Sequence, residues 1–251
     1  MNKIKLWNYI NRRRLNYYRK FQDEAEKILK REINKIENET LKGDITNRLS
    51  AILSESESEW TKYFSALSDT VIRAFLSVEK KADETVIRNK INDYLKNYCG
   101  KQITGITETS RKLIMDTLAD GIKQGLSGYQ MKKLIEEIVE PKYYNRALTI
   151  SRTEVGRASN YGATIGAEVD GMDTKEWVAC IDNRCRESHA EADGQKVGIN
   201  EYFVVGGESV FMPGDGGPEN SINCRCCVNF HKLKERKPEA ELEGEEKGIR
   251  K

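Results

Sequence analysis

Residues 60–78, WTKYFSALSDTVIRAFLSV, decide the fold class. Trp60, Phe64, Leu67, Val71, Phe75 and Val78 follow one another at steps of four or three. A helix brings such positions onto one face, whereas a half-buried strand needs alternation by two. The stretch therefore reads as a long helix with one narrow apolar seam, suited to packing on another helix. The same period recurs on either side. Phe21, Ala25, Ile28, Leu29 and Ile36 mark an earlier helix, broken at Lys42-Gly43-Asp44. Val86, Ile87, Ile91, Leu95 and Tyr98 mark a later one, expected to stop near Gly100. Leu113, Ile114, Leu118 and Ile122 mark another, ending around Gly125. Ser127 and Gln130 form a capping box for the next, faced by Met131, Leu134, Ile135 and Ile138. Glu140-Pro141 closes it, because a residue before proline resists the α conformation.

After Pro141 the texture changes. Lys142 to about Asp170 remains helical but carries Gly156, Ala158, Gly162, Ala163, Gly166 and Ala167. An interior glycine costs a helix roughly 1 kcal/mol against alanine, so three of them imply close approach by another element. Trp177 to Ile181 reads as a short strand, with two more possible at Glu201–Val205 and Glu208–Phe211 inside the loop-rich Gly194–Pro218. The expected class is α+β: an elongated, mainly helical N-terminal region, residues 1–140, then a small loop-rich α+β module, residues 141–233. Residues 234–251 are charged and lack an apolar period, which suits a disordered tail.

Composition narrows the function classes. Only 38% of residues are hydrophobic and 33% are charged, with a mean hydropathy of −0.69. That favours amphipathic helices with much solvated surface over a thick sheet-based core. No apolar run is long enough for a membrane span, and Met1–Lys20 lacks the apolar stretch of a secretory signal. That terminus does carry seven basic residues and no acid, so the rest of a chain with net charge +2 is acidic. Arg12, Arg13, Arg14, Arg19 and Lys20, interleaved with Tyr17 and Tyr18, are candidate contacts for nucleic acid or an acidic partner. A solvated helix face is the plainer alternative. Five of the six cysteines fall between Cys180 and Cys227, a clustering that in a reducing cytoplasm points to metal before disulfide.

Several short motifs follow one another. Ser151-Arg152-Thr153-Glu154 with Arg157 and Asn160 lies on the small-residue helix. Then come Trp177, Asp182-Asn183-Arg184-Cys185-Arg186-Glu187-Ser188-His189, Asp193-Gly194-Gln195, Pro213-Gly214-Asp215 and Asn223-Cys224-Arg225-Cys226. None makes a nucleophile elbow, a phosphate-cradling glycine loop or a paired-histidine metalloprotease site. In this order, over roughly Arg146 to Cys227, they resemble the Mu F-like head morphogenesis family of tailed phages. The resemblance implies a minor capsid protein of few copies, active in head assembly and not an enzyme. It would be associated with portal protein, other capsid or scaffold proteins and packaged double-stranded DNA, and would aid DNA ejection. Its place would be the capsid interior or portal vertex, and the host cytoplasm during assembly. Some relatives carry a toxin domain after this module; with about 24 residues beyond Cys227, none is expected here.

Two readings of the cysteines stay open. Cys185, His189, Cys224 and Cys226 could form a tetrahedral site for one structural zinc ion, with Cys180 and Cys227 as spare candidates. The resemblance supports His189, since relatives place a cysteine pair where this chain has Arg186 and His189. It also sets a departure, because Cys185 would act from one residue away. Alternatively, Arg152, Glu154, Asp182, Arg184, Arg186 and Asp215 form a polar network and the cysteines are small buried hydrophobes. His231 and Cys99 read as structural. The competing function is a zinc-dependent hydrolase or nucleotide-using enzyme with Asp182, Arg184, Arg186 and His189 as its site.

Overall fold

The computed structural model describes residues 1–76, 83–180 and 182–233; the expected tail at 234–251, Val78 and Ile181 lie outside them. The class is α+β, with long N-terminal helices and a small C-terminal sheet region. Helix α1 (Lys3–Lys42) ends at Gly43, whose φ of +76° lets its N–H reach back to the last carbonyls. It begins well before Phe21, so the basic terminus is helical throughout. Helix α2 (Ile45–Phe75) buries the expected seam, with Trp60, Phe64, Leu67, Val71 and Phe75 all inaccessible. α1 and α2 lie against each other, and Phe21, Ala25, Ile28, Leu29 and Ile36 of α1 are all buried.

The stop expected at Gly100 is not there. Helix α3 (Glu84–Tyr94) passes through one wide π turn, Leu95–Cys99, directly into α4 (Gly100–Lys123). Gly100 sits in ordinary right-handed helical geometry, so nothing forces a break. The wide turn shifts the phase of the apolar face instead, and Val86 is left exposed while Ile87, Ile91 and Tyr94 are buried. Helix α5 (Gly128–Ile138) carries the reciprocal Ser127–Gln130 capping box and buries Met131 and Ile135. Pro141 then serves as a helix start, occupying the first turn of α6 (Glu140–Val169), where the missing N–H costs nothing.

Helix α6 packs along both α1 and α2 and also touches the C-terminal sheet. Its glycines explain the approach. A Cβ on Gly162 would stand 2.5 Å from the carbonyl oxygen of Ile72, and one on Gly156 would stand 3.2 Å from that of Cys224. The first lets α2 lie on α6; the second admits the cysteine-rich segment.

Beyond α6, strand β1 (Thr174–Val178) pairs antiparallel with β2 (Lys196–Gly198) on one side and β5 (Cys227–His231) on the other. The strand therefore starts three residues before Trp177. Its charged residues conceal it in the sequence, yet Lys175 is buried, its ammonium 3.4 Å from the centre of the Phe211 ring and bonded to the Phe211 carbonyl. Strands β3 (Phe203–Val205) and β4 (Glu208–Val210) form a hairpin through Gly206-Gly207, both at positive φ, as a two-residue turn requires. Short helices α7 (Glu187–Glu191) and α8 (Pro218–Ser221) flank these strands. Trp177, Phe203, Val205, Val210 and the cysteines form a second small core, onto which Trp7 of α1 packs.

Gly162→Ala should lower stability by about 1–3 kcal/mol, because backbone cannot yield to the added methyl. Gly105→Ala on α4, where a Cβ meets nothing within 4 Å, should raise it by up to about 1 kcal/mol. Urea unfolding midpoints of the two variants check both signs.

Candidate functional site: a braced cysteine–histidine cluster

The centre of the C-terminal module is a group of buried soft donors. His189, on α7, turns Nδ1 toward Cys226 Sγ at 3.4 Å and Cys224 Sγ at 3.8 Å. The ligand atoms of these three lie within 4.8 Å of one another. Nε2 of the same ring is buried with no hydrogen-bond partner, and the ring stands edge-on to Trp177 at 5.5 Å. Zinc bonds of about 2.0–2.1 Å to nitrogen and 2.3 Å to sulfur imply tetrahedral N···S edges of about 3.6 Å. Both observed separations lie close to that value, so the donor set fits the ion.

The fourth position is less direct. Cys180 is buried and its thiol interacts with both Cys226 and Cys185. Cys185 is only half-buried and reaches the cluster through Cys180. Of the expected donors, then, the structure brings His189, Cys224 and Cys226 together and leaves Cys185 one thiol removed. The turn at Asp182–Cys185, closed by the Cys185 N–H on the Asp182 carbonyl, holds it there. Cys180, a spare candidate in the sequence, lies nearer, its thiol hydrogen-bonded directly to that of Cys226.

The thiols of the cluster divide, Cys224 and Cys180 drawn toward the thiolate and Cys226 and Cys185 toward the thiol. Cys224 is held well below the ordinary thiol range, first by hydrogen bonding from Cys226, against burial, and then by His189. Cys180 is lowered to about 6, first by Cys226, against burial, and then by Cys185 and the Arg225 guanidinium. Cys226, which donates to both, is raised. Arg225 sits 3.7 Å from the Cys180 sulfur and clamps Asp182 with two guanidinium nitrogens. That clamp lowers Asp182 to about 2.

Around the cluster runs a polar brace that differs from the expected network. Glu154 pairs with Arg157 of its own helix, at 2.6 and 2.7 Å, rather than with Arg184 or Arg186 of the loops; both partners are inaccessible. A three-residue helical spacing puts those two side by side. Burial raises Glu154, against the pull of Arg157. Arg157 also donates to the Gly214 carbonyl, while Asp215 accepts the Phe211 N–H. Arg186 donates to the Ile222 carbonyl, and Arg184 lies 3.6 Å from Asp182. Arg152 makes no hydrogen bond or ion pair with a described residue. The six residues thus divide among separate local contacts. Asp193-Gly194-Gln195 is likewise structural: Asp193 accepts from Ala179 N–H and Lys3, and Gln195 pairs twice with the Val204 backbone.

The largest correction concerns Arg14. It is fully buried, so it is no surface contact for a partner. Its guanidinium donates to Ser159 Oγ at 2.7 Å, Asn160 Oδ1 at 2.8 Å, and the carbonyls of Arg225 and Cys226, both at 3.2 Å. Asn160 in turn donates to the carbonyls of Pro213 and Cys226. Arg13 is also engaged, bonded to the Ala74 carbonyl and stacked 4.5 Å over Phe75. Arg12 and Arg19 remain exposed, as does Lys20 beside the Phe21 ring. A signal for Arg14 existed in the sequence: seven residues before Phe21 and fourteen before Ile28, it falls on the apolar face of α1. Of the four residues of the enzyme alternative, Asp182, Arg184 and Arg186 line one cleft, Asp182 clamped by Arg225, while His189 lies apart and faces the sulfurs.

Residues 112–229 match the family model described as phage Mu protein F like protein. Among curated relatives, an NAD(+)–arginine ADP-ribosyltransferase of Enterococcus faecalis, EFV, is 30% identical over 150 residues, which is 54% of this chain and 30% of that protein. The uncharacterized protein YqbB of Bacillus subtilis is 24% identical over 161 residues, 61% of this chain and 52% of that protein. The chain therefore spans roughly a third to a half of these relatives' lengths. No solved structure matches.

Arg14→Met should cost about 2–4 kcal/mol, since it strands buried acceptors. Arg19→Met, on exposed helix surface, should change stability by less than about 0.5 kcal/mol. Thermal and urea unfolding of the two variants give the comparison.

Proposed function

With residues 112–229 placing this chain in the phage Mu protein F-like family, we propose that it is a phage head morphogenesis protein, a minor component built into the virion. The observation that carries this reading is the use made of the motif side chains. Glu154, Arg157, Asn160, Asp193, Gln195 and Asp215 are all tied to neighbouring backbone or to each other, so they build a scaffold. The long helices offer an extended assembly surface for the portal protein and other head proteins. Packaged double-stranded DNA is the second partner in this reading. The ADP-ribosyltransferase activity in one relative's name belongs to that protein, of which the match covers 30%.

His189, Cys224, Cys226 and Cys180 would hold one structural zinc ion. When bound, the ion supplies a closed cross-link of the kind small loop-rich modules use in place of a large core. What supports this reading is how the donors are held: α7 carries His189, Gly156 admits the Cys224 backbone, and Arg14 and Asn160 hold the Cys226 carbonyl.

Mass spectrometry of purified particles of the parent phage should recover the chain at far lower abundance than the major capsid protein. Its absence from washed particles overturns the virion assignment. Protein purified without chelator should contain near one zinc per chain, lost in Cys224→Ser and Cys180→Ser and kept in Cys185→Ser. A zinc content below about a tenth of an equivalent rejects the site.

A further inference from the structure

A cleft of about 570 Å³ opens where α1, α6 and the turns of the C-terminal module meet. Its wall holds five arginines and one carboxylate: Arg12 from α1, Arg152 from α6, and Arg184, Arg186 and Arg225 from the module, against Asp182. Arg225 and Arg184 share that carboxylate, and Arg186 is bound only to a carbonyl. Arg12 and Arg152 make no hydrogen bond or ion pair with any described residue. Guanidinium groups gathered from three elements repel one another unless an anion joins them, and their planar forks match phosphate oxygens.

Two aromatic residues complete the wall. Trp7 fixes its indole N–H on the Arg225 carbonyl. Tyr18 buries its hydroxyl without a hydrogen-bond partner, in the field of Arg14, Arg152 and Arg225. A buried hydroxyl left unpaired beside the arginines of the cleft wall is a donor waiting for an acceptor. Arginine interleaved with aromatic side chains is the composition that tracks a nucleic-acid backbone.

The sequence pattern explains how the cleft arises. In Cys224-Arg225-Cys226 the two cysteines face the His189 cluster and Arg225 faces Asp182 on the opposite side. Arg184 and Arg186 flank Cys185 in the same way along the chain. The cleft floor is thus the outer side of the cysteine cluster.

We propose that this cleft is a binding site for the phosphodiester backbone of nucleic acid, with Arg12 and Arg152 as its primary phosphate contacts. The assignment rests on the reading that DNA is a partner, and it replaces the α1 face as the footprint. Arg14 is buried and Arg13 is spent on α2, so that face retains few free charges.

The test is fluorescence anisotropy on the full chain at low salt, with a labelled duplex and a labelled single strand of the same sequence. Wild type should bind at least one of them. The Arg12→Ala/Arg152→Ala double variant should bind about tenfold or more weakly, with a salt slope smaller by roughly one to two. The Arg19→Ala/Lys20→Ala variant should stay within about twofold of wild type. Circular dichroism confirms folding; both substituted arginines lack partners on which the fold depends. If wild type binds neither probe, the DNA reading itself fails. If wild type binds and the double variant binds equally well, the cleft assignment fails while the DNA reading stands. If polyglutamate of matched charge displaces the probe as well as unlabelled DNA does, the site is an acidic-protein site and the proposal is overturned. Comparison of the duplex and single-strand arms identifies which form the cleft takes.

Discussion

The buried guanidinium of Arg14 ties three parts of the molecule together through polar contacts inside the core. One end of α1, the middle of α6 and the Cys224–Cys226 segment all present polar groups to it. No carboxylate balances the charge among its hydrogen-bond partners. Hydroxyl, amide and carbonyl dipoles do so instead, and charge-assisted bonds to such dipoles are stronger than neutral ones. Asn160 extends the arrangement by gripping Pro213 and Cys226 with one amide nitrogen. Displacing α1 would therefore disturb the cysteine segment and the Pro-Gly-Asp loop together.

Helix α6 is the axis on which this arrangement is built. Successive parts of it serve different neighbours. Tyr143 bonds to Glu32 of α1 at 2.7 Å, Glu154 and Arg157 hold the loops, and Gly162 receives α2. The C-terminal module has two chemical sides. Inward, sulfur and imidazole converge in a space sealed by Trp177. Outward, arginines gather with almost no acid to balance them. A single short segment, with alternating side chains, contributes to both.

Much of the fold was legible because helices announce themselves by period. The α2 seam, the Gly43 break, the capping box and the close approach at Gly162 all follow from local rules applied to visible residues. The sheet was less legible for a physical reason. β1 contains Lys175 and Glu176, charges that suggest a loop, yet Lys175 is neutralised in effect by an aromatic face and a carbonyl, and Glu176 by Lys3 and His231. The wide turn at Leu95–Cys99 left no compositional mark, because one added residue changes phase without changing character. The soft-donor cluster was partly visible from cysteine spacing, but choosing between Cys180 and Cys185 needs the turn at Asp182. Arg14 was hidden by its company: six other basic residues in the same stretch suggested solvent, although its helical phase matched the core.

The spacing of Arg14 from its partners has a consequence for synthesis. It lies 212 residues before the Cys226 carbonyl it binds. At roughly 5–20 residues per second, a ribosome needs on the order of ten to forty seconds to make that stretch. Throughout that interval α1 can form and α2 can dock on it, but the guanidinium lacks the acceptors that justify its position. The nascent helical hairpin therefore carries a hydrated charge on its apolar face, which keeps that face from closing prematurely. Arg14 finds its carbonyl acceptors only once the Cys224–Cys226 segment has left the ribosome, so that part of α1 is the last of the helix to settle.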